Sequence, residues 1–462
     1  MWMLGVFPVA SSLPAYGRTL KSKKTAAGSA SLVAGKTATS PKAVASTRRS
    51  RRHRRLRVSR SLKPMPPLNE APFSAQVPLL PVIEDAKSQL EKETVRYTPG
   101  GRKSHPRREV KLALANFQTG EIQIVQGTEM GGRLTLEDPT IKFEVDWWNG
   151  FNSSITILEP PNTGVLAMLY ALEPERQKFL RQDAIIYTPY SSALLQTELV
   201  EAGKNYLMDK IHQARVELGR VPSRAFPGMT LANSPGFSDA DYFNLILTEQ
   251  MDPGRFRSIA AGVWELNDEQ EGQLLRLADR ILAIIGANQE DAYSFTGNYA
   301  SARGLTQFTP MGMSVVWNQY VDSGIPHDFR EATSSHLNAI KAEICLLDHD
   351  LAELARCHPP LIGSGMEIYA AGASYNGGPG RVRYGLENFG LTWFHPVSRL
   401  TELESRKASL SRAERQECLW LRKNRSHETF VYLNKIHAIR RSRERLSASQ
   451  NKVVSPAEPD QN

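Results

Sequence analysis

The sequence predicts a mainly α protein. A helical region over residues 201–445 follows a small β-containing domain over 106–200 and a disordered basic tail over 1–105, and a second disordered tail closes the chain over 446–462. Three observations predict this. Leu194, Leu195, Leu199, Tyr206, Leu207, Ile211 and Ala214 recur near helical spacing, and helical patterns dominate from Asp239 to about Arg445. From Glu109 to Thr197 the texture is one of alternating, β-branched and aromatic stretches. Before that, the chain is rich in Ser, Ala, Lys, Arg and Pro, with no periodic apolar pattern that would bury a core.

The tail holds most of the charge. Residues 1–63 carry 15 Lys and Arg with no Asp or Glu, so the formal net charge of +9 leaves the remainder at −6. A basic run such as Arg48 to Lys63 is either a solvated tail or a tether for a polyanion, and its charge does not choose among nucleic acid, anionic lipid and anionic wall polymer; a wall or membrane surface is the partner carried forward, and nucleic acid ranks last. Met1 to Ser12 has a short apolar core and a small-residue end but lacks a basic leading region, which makes it a weak secretory signal. No apolar run is long enough to span a bilayer as a helix, so no integral membrane segment is expected.

The β-rich segment opens with a hairpin signature. Val110 to Phe117 alternates in part, Thr119-Gly120 offers a turn, and Ile122 to Val125 alternates again. Ile141 to Val145 and Ser154 to Leu158 read as further strands, and Trp147-Trp148 reads as a core or hairpin pair rather than a sugar-stacking platform. No chemistry is legible in this segment.

Metal, thiol and phosphate chemistries find no pattern. Cys345, Cys357 and Cys418 are too few and too scattered for a disulfide framework or a ligand set, and Cys345 reads as a small core residue. His327, His336, His349 and His358 lack the tight spacing of a zinc site. With no nucleophile elbow and no phosphate-binding loop either, no cofactor is expected.

Four segments of the helical half carry more information. Asp241 to Gln250 reads as an amphipathic helix with Glu249 in its last turn, closed by Asp252-Pro253. The others are Ser301-Ala302-Arg303-Gly304-Leu305-Thr306-Gln307-Phe308-Thr309-Pro310, Tyr369 to Val382 around Tyr375-Asn376-Gly377-Gly378-Pro379, and His427 to Ile436. In this order they resemble the lytic transglycosylases. The second is similar to that family's Gly-Ala-x-Gly-Leu-Met-Gln-x-x-Pro signature, with Ser301 for the first Gly and Thr306 for the Met. The third resembles Ala-Tyr-Asn-Ala-Gly-Pro, and the fourth a Glu-Thr-x-x-Tyr-Val-x-Lys closing segment. Leu337 to Ala342 sits where the family has an Asn-Ile-x-x-Gly helix. The resemblance spans about Asp239 to Ile436 and leaves the first 200 residues uncovered.

The resemblance implies a lysozyme-like fold and a peptidoglycan substrate in a bacterial cell envelope, in the periplasm. It implies one glutamic acid that protonates the glycosidic oxygen after N-acetylmuramic acid and then deprotonates the C6 hydroxyl of the same sugar, closing a 1,6-anhydro ring. Tyr375 and Asn376 are expected to hydrogen-bond the acid or the substrate, and Gln307, Ser301 and Gly304 to line the cleft. General physical chemistry agrees with the residue types: leaving-group protonation needs a carboxyl group of raised pKa, and Gly-rich turns let backbone approach a glycan.

Two glutamates compete for the role. Glu290 lies fourteen positions before Gly304, the spacing of compact members, but Tyr293-Ser294-Phe295-Thr296 does not match the family turn. Glu249-Gln250-Met251-Asp252-Pro253 resembles Glu-Ser-x-Phe-Asp-Pro, one residue short, and the intervening residues match the helical insertion of the membrane-bound B-type branch. Glu249 is the first choice. The rival functions are a peptidoglycan-binding scaffold that has lost catalysis, and a lysozyme-type hydrolase with Asp252, Glu290 or Asp291 as second carboxylate.

Overall fold

The computed structural model describes residues 73–101, 105–148, 150, 152–180, 182–260, 266–294, 301–424 and 427–454; side chains are described for all of these but 147, 178–180 and those beyond 445. The arginine-rich run and the apolar start of the chain lie outside the described residues.

A helix opens the described chain: α1 (Leu79–Leu90), which packs on an antiparallel sheet. The strands are β1 (Tyr97–Thr98), β2 (Arg107–Asn116), β3 (Ile122–Met130), β4 (Arg133–Leu136), β5 (Lys142–Trp147), β6 (Ser154–Glu159), β7 (Thr163–Ala171) and, after the short helix α2 (Pro174–Leu180), β8 (Ala184–Tyr187). The main sheet runs β4-β3-β2-β7-β8 with β1 on the end of β2, and β5 and β6 form a separate hairpin. The hairpin signature is realised: β2 and β3 pair antiparallel from Ala115 opposite Ile122 outward, and Gly120 takes a φ of 77° in the turn. Only β7 is buried along its whole length, because both of its faces are covered. One face meets α1, and the other meets Ile155 and Ile157 of the β5–β6 hairpin. Trp148 packs beside Tyr170 at 6.3 Å between ring centres.

Residues 79–90 were expected in the tail, yet they form α1. Leu79, Ile83, Ala86 and Leu90 make one fully buried stripe, each large member worth ~1.5–3 kcal/mol of apolar burial. Glu198 accepts the N–H groups of Leu79 and Leu80, which satisfies two orphan donors at the start of α1 and complements the helix dipole. The helix therefore depends on partners more than a hundred residues away.

Beyond the sheet the chain is helical: α3 (Thr197–Glu217), α4 (Asp239–Gln250), α5 (Pro253–Ala260), α6 (Asp268–Asn288), α7 (Pro310–Gln319), α8 (Phe329–Ser334), α9 (His336–Cys357), α10 (Glu367–Gly377), α11 (Pro379–Phe389), α12 (Pro396–Ser405), α13 (Arg412–Asn424) and α14 (Glu428–Val454). Capping boxes at Ser238/Asp241 and Asn267/Gln270 set the starts of α4 and α6, and proline at the first turn opens α7, α11 and α12. Helix α14 continues to Val454, past the expected helical limit near Arg445. Helices α3 and α6 cross in backbone contact: a Cβ on Gly203 would lie 2.0 Å from the Leu282 carbonyl oxygen, and one on Gly286 would lie 2.1 Å from that of Leu199. The two glycines are required by that approach. Cys345 is a core residue, as its helical context predicts.

Candidate active site

Helix α4 is buried nearly all round. Tyr242 to Thr248 and Gln250 are all buried, and Glu249, in the last turn, keeps partial access to solvent. Met251 leaves the helix in an extended conformation and Pro253 starts α5, so the last carbonyls of α4 have no helical partners of their own. A carboxyl group here sits at the negative end of the helix dipole, where its neutral form is favoured.

Helix α14 supplies the groups that meet Glu249. The Tyr432 hydroxyl donates to Glu249 Oε1 at 2.5 Å. Three residues on, and so on the same helical face, Lys435 Nζ donates to the carbonyl oxygens of Thr248 (3.1 Å) and Met251 (2.6 Å). Close packing of α14 on α10 makes this reach possible. A Cβ on Gly372 would lie 2.7 Å from Ile436 Cδ1, and one on Gly377 would lie 2.4 Å from Thr429 Oγ1. The small residues Ala370, Ala371, Gly372, Ala373 and Ser374 lower α10 enough to admit α14, and Tyr369 stacks on His437 at 3.8 Å between ring centres.

The loop before α7 folds onto the same helix end. Arg303 and Phe308 exchange backbone hydrogen bonds at 2.9 Å, and Gly304 takes a φ of 74° with its Cα facing the Thr333 carbonyl. Gln250, the neighbour of Glu249, donates to the Leu305 carbonyl at 2.5 Å and to that of Gly304 at 3.3 Å. Gln307 adopts a φ of 51°, a left-handed conformation that costs ~1 kcal/mol or more in a residue with a side chain. The surrounding bonds, including Gln307 Nε2 to the Gly304 carbonyl at 2.8 Å, hold it there. The Tyr375 hydroxyl donates to the Thr306 carbonyl at 2.6 Å and so locks this loop to α10.

Burial pushes the Glu249 carboxyl up; the Tyr432 hydroxyl and the Lys435 ammonium pull it down, Glu428 pushes it up again, and the result is about 7. Burial takes Lys435 down to about 8 against the opposing pull of Glu249 and Asp252. Behind them Glu343 of α9 is 1% exposed, and its Oε2 has no hydrogen-bond partner. Burial, then the charge of Glu249, raise the Glu343 carboxyl well above its ordinary value. The arrangement therefore offers one carboxyl, on a partly accessible residue, that can hold or release a proton near neutrality, which is what a single residue acting as acid and then base requires.

The other glutamate is differently placed. Glu290 is half exposed and pairs with Lys210 at 3.1 Å. It also accepts from the Tyr206 hydroxyl (2.6 Å) and the His336 N–H (2.8 Å). Burial would raise its carboxyl, but those donors and the nearby His336 and Lys210 outweigh it and hold it below the usual range. Such a group is a poor proton donor at neutral pH, and none of its partners touches Glu249. Asp252, the neighbouring carboxylate, caps α5 by accepting the Arg255 N–H.

Of the residues expected around the acid, the structure brings Glu249, Gly304, Gln307 and Tyr375 to one end of α4 through Gln250 and Thr306. Tyr375, however, bonds the loop rather than the acid; the hydroxyl on the acid is that of Tyr432. Asn376 is half-buried with an unpartnered Oδ1, and Ser301 is exposed with a φ of 60°. Neither is hydrogen-bonded to Glu249 among the described residues. Nothing in the sequence singles out Tyr432, Lys435 and Glu343, although the first two stand in the quoted closing segment. Among the described residues no cluster of three or more His, Cys, Asp or Glu could hold a metal ion, and no helix is long and apolar enough to cross a membrane. No family model matches the sequence, no curated protein is similar to it, and no solved structure matches its fold.

Proposed function

We propose that this protein is a peptidoglycan lytic transglycosylase of the cell envelope, with a lysozyme-like helical domain and Glu249 as its general acid and base. Glu249 carries this reading. It is a carboxyl on a partly accessible residue at the end of a buried helix, titrates near neutrality, and is oriented by a tyrosine hydroxyl. Protonated, it gives its proton to the glycosidic oxygen after N-acetylmuramic acid. As the carboxylate, held by Tyr432 and the field of Lys435, it removes the proton of the C6 hydroxyl, whose oxygen closes the 1,6-anhydro ring on the anomeric carbon. The proton returns to Glu249 and no water is consumed.

A hydrolase of the lysozyme type needs a second carboxylate across the scissile bond. Two carboxyls stand beside Glu249: Glu343, which is buried, and Glu428 at the start of α14, which is exposed and whose charge raises the Glu249 carboxyl. Glu290 and Asp252 are engaged elsewhere. Glu428→Gln therefore separates the two routes, because a hydrolase needs that second carboxylate and the intramolecular route does not.

Mass spectrometry of products from purified sacculi tests the reading. Anhydro-ended fragments from wild type and from Glu290→Gln, with none from Glu249→Gln, are the expected result. Reducing ends in their place would make the protein a hydrolase, and sacculi that bind without being cut would make it a binding scaffold.

A further inference from the structure

We infer, taking Glu249 as the acid of the proposed reaction, that Lys435 is its positioning residue: the lysine pins the end of α4 that bears the acid and brings an ammonium group to the same helix end. Lys435 is 4% exposed, and Nζ donates to the carbonyls of Thr248 and Met251, which bracket Glu249 and Gln250. A buried ammonium group is costly unless its donors are satisfied, and these two acceptors belong to the unpaired end of a helix. Each need answers the other. The same face of α14 carries Tyr432, whose hydroxyl holds Oε1 of the acid. One helical turn thus fixes both the carboxyl and the backbone that bears it.

The charge does a second job. The groups acting on Glu249 are Glu428, Tyr432 and Lys435 of α14, and Glu249 in turn acts on Glu343 of α9 and Tyr375 of α10. Asp252 and Arg257 act on Lys435 from the start of α5. Lys435 is the one cation among those facing Glu249, and it makes no direct ion pair with the carboxylate, leaving both carboxyl oxygens available to Tyr432 and to substrate. Burial beside Glu428 favours the neutral acid; the ammonium favours the carboxylate. A residue that must donate a proton and take one back in a single turnover needs the two forms balanced near the working pH. Lys435 supplies that balance, and without it Glu249 is held as an acid that cannot serve as a base.

Two measurements test this. The first is the pH profile of sacculus cleavage by wild type, Lys435→Arg and Lys435→Met. The arginine variant is expected to keep the basic limb in place, and the methionine variant to move it upward by about one pH unit and to cut cleavage at neutral pH by about tenfold or more. The second, which needs no activity, is an NMR titration of the Lys435 ammonium in wild type and in Glu249→Gln. Coupling between two groups is reciprocal, so loss of the carboxylate must shift the lysine titration downward. An unmoved basic limb together with an unmoved lysine titration would overturn the inference and leave Lys435 a helix cap. If Lys435→Met does not fold, the titration decides alone, since Glu249→Gln keeps the shape of the site. If no variant and no wild type cuts sacculi, yet Lys435 moves with Glu249→Gln, the coupling stands and the transglycosylase reading falls.

Discussion

Tyr432 and Glu249 lie 183 positions apart, and the hydroxyl of one donates to the carboxyl of the other at 2.5 Å. The bond favours the ionised carboxyl, so its removal has a signed consequence. Tyr432→Phe is expected to raise the pH at which Glu249 ionises, moving the basic limb of cleavage upward, and to lower kcat by about tenfold through loss of orientation. A pH profile with an unmoved limb would show that the hydroxyl serves packing alone.

Glu249→Gln is expected to lower glycan cleavage by at least about a hundredfold, the usual scale for loss of a general acid, while circular dichroism stays that of the wild type. Retained cleavage would remove Glu249 from the mechanism.

The same substitution should stabilise the fold in a pH-dependent way. The folded carboxyl ionises at about 7, above the ~4.3 of an unfolded glutamate, so the folded state binds the extra proton. The stability this confers is fully present below pH ~4.3 and is lost as pH rises through 7, to a total on the order of 3 kcal/mol. Relative to Glu249→Gln, wild type should therefore weaken progressively across that window in urea titrations. A constant difference from pH 4 to 8 would mean that the carboxyl is not perturbed.

Glu290 behaves in the opposite sense. Its folded carboxyl is depressed by Tyr206, His336 and Lys210, so its contribution is present above the unfolded value and is lost as pH falls through the folded one. Glu290→Gln should keep full glycan cleavage, lose ~1 kcal/mol at neutral pH through its missing partners, and approach wild-type stability in acid. Abolished cleavage in this variant, with Glu249→Gln active, would exchange the roles of the two glutamates.

At the crossing of α3 and α6, Gly286→Ala has no room for its methyl group against the Leu199 carbonyl. Forcing the two helices apart is expected to cost ~3 kcal/mol or more, read as a lowered urea midpoint, because overpacking at backbone contact cannot be relieved by a rotamer change. A variant as stable as wild type would show that the crossing is looser than described.

Much of this architecture was legible in the chain itself. The hairpin at Thr119-Gly120, the strands near Ile141 and Ser154, the helix ending at Glu249 and its stop at Asp252-Pro253 are local patterns of period and punctuation, and each appears where the pattern stands. Helix α1 was not legible. Its stripe of four buried apolar residues makes a helix only when a sheet waits to cover it and Glu198 caps its first turn. The candidate site divides in the same way. The residues flanking Glu249 could be found by order along the chain, and Glu249 could be ranked above Glu290 by its helix end. Which hydroxyl reaches the carboxyl, which cation faces it and which second carboxyl lies behind it could not, because Tyr432, Lys435 and Glu343 meet Glu249 only after α9, α10 and α14 pack around α4. Residue type and spacing determine what chemistry a chain can carry. The pKa of one carboxyl is a property of its dielectric surroundings and nearby charges, and those exist only once the helices are assembled.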